Sequence, residues 1–136
     1  MSNLFAGLDV STQSCKLLII DDSQKNVIFT TSVNYDRDLA EYDTENGVIK
    51  NAPKGVSESN PKMWLDAVNI VFFRAVKNDI PLSDIKCISV SGQQHGLVSL
   101  DQNDTLTRES SKLWNDFSTE KECEILTDKI GGKEEM

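Results

Sequence analysis

The sequence is poor in positive charge, long apolar runs, histidine and paired cysteine, and each shortage excludes a class of protein. Fourteen Lys and Arg face 22 Asp and Glu, a formal net charge of −8, so no basic surface for nucleic acid is expected. No apolar run approaches the ~20 residues of a bilayer-spanning helix, so no membrane association is expected. Met1-Ser2-Asn3-Leu4 places no basic segment ahead of an apolar stretch, which argues against a secretory signal. The three cysteines, Cys15, Cys87 and Cys123, are odd in number and widely spaced, and fit neither a disulfide framework nor a zinc site. The expected setting is reducing and cytoplasmic. What remains, 38% hydrophobic and 26% charged residues over 136 positions, is the composition of one ordinary globular domain.

The pattern along the chain is mixed. Leu4 to Val10, Cys15 to Ile20 and Val27 to Val33 are apolar or β-branched runs separated by short polar turns, which predicts three strands in an antiparallel meander. Asp21-Asp22 is expected in a solvated turn. Asn34 to Ser59 has no clear period and is dense in Asp, Glu, Asn, Gly and Pro. A connection of that length is usually functional or mobile, and its acidic part, Asp36 to Glu45, lacks the regular spacing of a calcium loop. Asn60-Pro61 opens a helix as N-cap and first helical residue. Trp64, Leu65, Val68, Val71, Phe72, Ala75 and Val76 predict its buried stripe, with Trp64 and Phe72-Phe73 in the core. Ile85 to Ser91 and Leu97 to Leu100 read as strands. Thr119 and Glu122 have capping-box spacing for a last helix that Gly131 and Gly132 end. The order β-β-β-α-β-β-α predicts an α/β domain. Past the glycines, Lys133 to Met136 reads as the start of another helix, which predicts a fragment of a longer chain.

Two polar constellations stand out. In Gly7-Leu8-Asp9-Val10-Ser11-Thr12-Gln13-Ser14, a carboxylate at a strand end precedes a hydroxyl- and amide-rich turn. Backbone N–H groups and hydroxyls in such a turn can cradle phosphate oxygens, and Asp9 can hold Mg²⁺ through its water shell. An ordinary hairpin whose Ser and Thr satisfy the turn fits the same spacing. No Gly-Lys-Ser/Thr run accompanies it, so it is not a Walker loop. The second, Ser91-Gly92-Gln93-Gln94-His95-Gly96, contains the single histidine. Side chains that both donate and accept hydrogen bonds suit a hydroxyl-rich ligand, although a solvated turn fits as well. Leu113-Trp114-Asn115-Asp116 fits either a core or cap segment or the lining of a cleft.

Taken together the motifs resemble the FGGY carbohydrate kinases. Gly7 to Ser14 is similar to the family's first phosphate hairpin, Gly92-Gln93-Gln94-His95-Gly96 to the sugar loop of the xylulokinase branch, and Trp114-Asn115-Asp116 to a later Trp-x-Asp segment. Tyr35-Asp36-Arg37-Asp38-Leu39 followed by Gly47-Val48 resembles the eukaryotic-type members, as do Gln94 in place of Met and Ser118 in place of Arg. The resemblance runs in order through residues 4 to 132.

It implies a ribonuclease-H-like fold of the actin and hexokinase kind, of which residues 1–136 are the N-terminal part of domain one. It further implies ATP and Mg²⁺ as cofactors and transfer of the γ-phosphoryl group to the C5 hydroxyl of D-xylulose. Asp9 is then the Mg²⁺-directed carboxylate, and Ser11, Thr12, Gln13 and Ser14 bind phosphate. Gln94 and His95 bind sugar hydroxyls, and Asp116 lines the sugar cleft. The resemblance places the catalytic base and adenosine site farther along the family's chain, so this segment contains no catalytic base and alone is expected to be inactive. Related expectations are a ribulose, glycerol or polyol kinase, a sugar-binding pseudo-enzyme, and a homodimer for the full-length protein.

Overall fold

The computed structural model describes residues 3–132 and 134. The three apolar runs form β1 (Leu4–Val10), β2 (Ser14–Asp21) and β3 (Asn26–Asn34), paired antiparallel in sequence order. A fourth strand, β7 (Ile85–Gly92), lies parallel to β1 on its other side, giving the order β3-β2-β1-β7. Between β3 and β7 run a short helix α1 (Tyr35–Asp38), a hairpin of β4 (Thr44–Glu45) and β5 (Val48–Ile49), a two-residue strand β6 (Glu58–Ser59) and the long helix α2 (Pro61–Lys77). After β7 come β8 (Ser111–Lys112), which pairs with β6, and α3 (Glu120–Lys129). The expected α/β class and meander are both present.

Strand alternation decides what is buried. Leu4, Ala6 and Leu8 on β1, Cys15, Leu17 and Ile19 on β2, and Val33 on β3 point to one face and are all buried. Met63, Ala67, Val71 and Ala75 of α2, one every four residues, close over them. Burying a leucine such as Leu17 contributes about 1.5–3 kcal/mol. The small Ala67 and Ala75 let the helix approach the sheet.

The stripe differs from the expected one. Val71 and Ala75 belong to it, but Leu65 (66% exposed), Phe73 and Val76 face outward, and Lys77 stands over the Phe73 ring at 5.3 Å. Met63 and Ala67 take the inner positions, on a helix that Asn60 caps, its side chain accepting from the Lys62 amide. Thr119 makes no cap bond at the start of α3, so the capping box does not form. Leu97 to Leu100 is no strand: Leu97 makes a single bridge to Lys112 and Leu100 one to Leu106. Asp22 is exposed as expected, whereas Asp21 is buried and accepts from the Ser23 and Gln24 amides. The long connection is ordered by its own short elements.

Candidate functional site

The parallel pairing of β1 with β7 sets Asp9 beside Ser91 and Val10 beside Gly92. The turns leaving both strands therefore emerge together, where open α/β sheets place their ligands. The Gln93 amide continues the pairing by donating to the Val10 carbonyl at 3.1 Å. Ser11, Thr12, Gly92, Gln93, Gln94, His95 and Trp114 line one cavity of about 340 Å³.

The Thr12 hydroxyl joins the parts. It donates to Gln93 Oε1 at 3.4 Å and accepts from Trp114 Nε1 at 3.2 Å, tying the β1–β2 turn, the β7 loop and the Trp114 segment. Gln94 and His95 are exposed in the loop, and His95 sits at φ +61°, a left-handed backbone uncommon for a side-chain-bearing residue. Trp114 is 59% exposed, its ring open to the cavity. It belongs with the cleft rather than the core, and its signal in the sequence was an aromatic beside Asn and Asp ahead of a helix.

The β1–β2 turn is held from inside. Ser11 donates its amide and hydroxyl to the Ser14 carbonyl, both at 3.0 Å. Tyr35, fully buried, donates its hydroxyl to the Ser11 carbonyl at 3.0 Å and its amide to the Gln13 carbonyl at 3.1 Å. Burial, then the neighbouring Cys15 and Asp9, push the Tyr35 phenol far up, so it stays a donor. Burial and the Asp9 charge push the Cys15 thiol to about 11, so it is no nucleophile at neutral pH. Tyr35 was legible only as part of a motif, because its contact with the turn is tertiary.

Asp9 and Asp116 lie apart from that cavity. Asp9 borders a wider space of about 740 Å³ along the sheet face opposite α2, with Gly7, Lys16, Ser89 and Ser91. The Asp116 side chain is 4% exposed. It accepts from the Ser57 amide at 2.8 Å, from Lys112 Nζ at 2.8 Å and from the Ser118 hydroxyl at 2.6 Å. Burial opposes its ionisation, but the Lys112 ammonium and the Ser118 and Ser57 donors outweigh it and hold the carboxyl well below its usual range. Asp116 fastens the Trp114 segment to Ser57 and does not reach the cavity.

Among the described residues no three His, Cys, Asp or Glu side chains converge as a metal cage. A cation at Asp9 would complete its shell with water and phosphate oxygens, a donor set that suits Mg²⁺. No helix among the described residues is long and apolar enough to cross a membrane.

The chain is 40% identical over 148 aligned residues to the xylulose kinase of Schizosaccharomyces pombe, an alignment covering 95% of this chain and 26% of that protein. The ligand-bound xylulose kinase structure from Lactobacillus acidophilus superposes with a TM-score of 0.72 at 25% identity, over 93% of this chain and 22% of that one. The gluconate kinase structure from the same organism gives 0.74 at 24% identity, over 95% of this chain and 23% of that one. The chain thus spans about a quarter of the length of the curated relatives it matches. The fold is that of the actin- and hexokinase-like ATPases, in part. Residues 4–135 match the N-terminal domain of the FGGY family of carbohydrate kinases, and the chain belongs to that family.

Proposed function

We propose that this chain forms the first half of the active site of an ATP-dependent sugar kinase whose acceptor is D-xylulose, phosphorylated at its C5 hydroxyl. The observation carrying the reading is the Thr12 hydroxyl, bonded to both Gln93 and Trp114, because it brings a phosphate-type turn and a hydroxyl-type loop to one cavity. The xylulose kinase relatives support the choice of sugar.

In this reading Gln94 and His95 hydrogen-bond ketose hydroxyls and the exposed Trp114 face covers the sugar's apolar side. A loop with such donors and acceptors rejects analogues lacking the matching hydroxyl. The Ser11–Ser14 turn receives phosphate oxygens on the Thr12, Gln13 and Ser14 N–H groups, with the Gln13 side chain and the Ser14 hydroxyl beside them. Asp9 would hold Mg²⁺, and the ion would supply charge neutralisation at the phosphoryl group. Phosphoryl transfer depends on such positioning and charge compensation. Removal of a general base costs about 10²–10⁴-fold, and no residue of this cavity is assigned that role.

The test is ADP release with D-xylulose, D-ribulose, L-ribulose and glycerol, measured for the enzyme containing this chain and for the chain alone. Preference for D-xylulose in the former and silence in the latter supports the reading. A higher kcat/KM for ribulose or glycerol replaces the substrate, and sugar binding without turnover replaces the enzyme by a binding module. Exchanging His95 for Ala should lower kcat/KM about 5- to 150-fold, since a sugar hydroxyl left without its hydrogen-bond partner costs about 1–3 kcal/mol.

A further inference from the structure

The segment between β3 and α2 is far longer than a simple connection requires, and its order has a definite direction. Thr44↔Ile49 and Glu45↔Val48 pair as a hairpin closed by Asn46 and Gly47, at φ +54° and +78°. Two left-handed residues in a two-residue loop make the type I′ turn that Asn-Gly favours. Asp36 fixes this turn, accepting from Thr44 Oγ1 at 2.7 Å, from the Asn46 amide at 2.6 Å and from the Gly47 amide at 3.0 Å. The fully buried Ser59 donates its hydroxyl to the Gly47 carbonyl.

The tip of that turn abuts the back of the Ser11–Ser14 turn. A Cβ placed on Gly47 would stand 1.9 Å from the Thr12 carbonyl oxygen and 3.2 Å from the Gln13 Cα, so only glycine allows the approach. Three successive carbonyls are therefore engaged from behind: Ser11 and Gln13 by Tyr35, and Thr12 by contact with Gly47. In a planar trans peptide the N–H points opposite the carbonyl. Holding those three oxygens directs the Thr12, Gln13 and Ser14 amides the other way, as an anion-binding concavity requires.

We propose that Gly47 is a positioning residue, and that the Asn46-Gly47 turn, held by Asp36 and Ser59, is the backstop that fixes the phosphate-facing amides of residues 12–14. This rests on the phosphate reading of that turn. Any side chain at position 47 must push the Thr12 carbonyl forward and rotate its peptide, weakening anion binding without touching the anion.

The experiment is a titration of the ¹⁵N-labelled chain with inorganic tripolyphosphate and Mg²⁺, following the amides of Ser11 to Ser14, with urea unfolding measured on the same samples. Wild type is expected to saturate, Gly47→Ala to bind at least tenfold more weakly and Ser59→Ala several-fold more weakly, with the Gln93–His95 amides at their wild-type positions in the folded variants. The Kd of the folded molecules is decisive, because a merely structural role lowers the urea midpoint and leaves that Kd unchanged. If Gly47→Ala does not fold, Ser59→Ala decides. Wild-type affinity in the folded variants overturns the backstop and leaves the phosphate reading standing. No saturable shift in wild type removes the phosphate reading, and the backstop with it.

Discussion

The Thr12 hydroxyl is used twice, once as donor to Gln93 and once as acceptor from Trp114. Thr12→Val should therefore move the Trp114 indole N–H resonance upfield as its acceptor disappears, while Thr12→Ser leaves it near the wild-type position. An unmoved indole signal in Thr12→Val would remove the link between the two turns. Asp116 makes a prediction of opposite character, in stability rather than in binding. Its carboxyl is held below the usual range, so the stabilisation exists while the group is ionised. Asp116→Asn should cost about 2 kcal/mol at neutral pH. The gap between variant and wild type should close as pH falls below about 4, the carboxylate range of the unfolded chain, toward the lower folded value. Urea midpoints against pH measure this, and a gap that widens in acid would contradict the assignment. Asp9, Thr12 and His95 were legible as residue types in a pattern. Their supports were not, because Trp114 reaches Thr12 and Tyr35 reaches Ser11 only after the sheet has formed. Asp116 read as a cleft residue because nothing in its local sequence shows Ser57 folding back onto it.

Secondary elements were legible where a short-range cause decides them. The three meander strands and the start of α2 follow from alternation and from Asn60-Pro61. The facing of α2 did not, because Met63 and Ala67 are chosen by the distance to the sheet and not by hydrophobicity alone. Leu97 to Leu100 has strand composition, but a strand needs a row of partners, and Lys112 and Leu106 supply single bridges. The caps separate the same way. Asn60→Ala should lower stability by about 1 kcal/mol, whereas Thr119→Ala should leave it unchanged within error, since Thr119 makes no cap bond. Paired thermal melts of the two variants test this, and equal losses would contradict it.

At the scale of the molecule, β7 is an edge of the sheet. α2 lies over β2 and β3, leaving Ile88 (47% exposed) and Val90 (64% exposed) uncovered on the same face. An unpaired strand edge beside exposed apolar side chains favours association. Sedimentation velocity should show the chain self-associating as concentration rises, less so for Val90→Lys. A monodisperse wild type at every concentration would contradict this. The two turns that emerge beside each other because β1 and β7 run parallel are the feature from which the proposed kinase half-site follows. The measurement that tests it most directly is an ¹⁵N NMR titration of the chain with D-xylulose, D-ribulose and glycerol. The Gly92–Gly96 amides and the Trp114 indole should move saturably, with the highest affinity for D-xylulose. Absence of saturable movement there with any of the three, or equal affinity for glycerol, would contradict it.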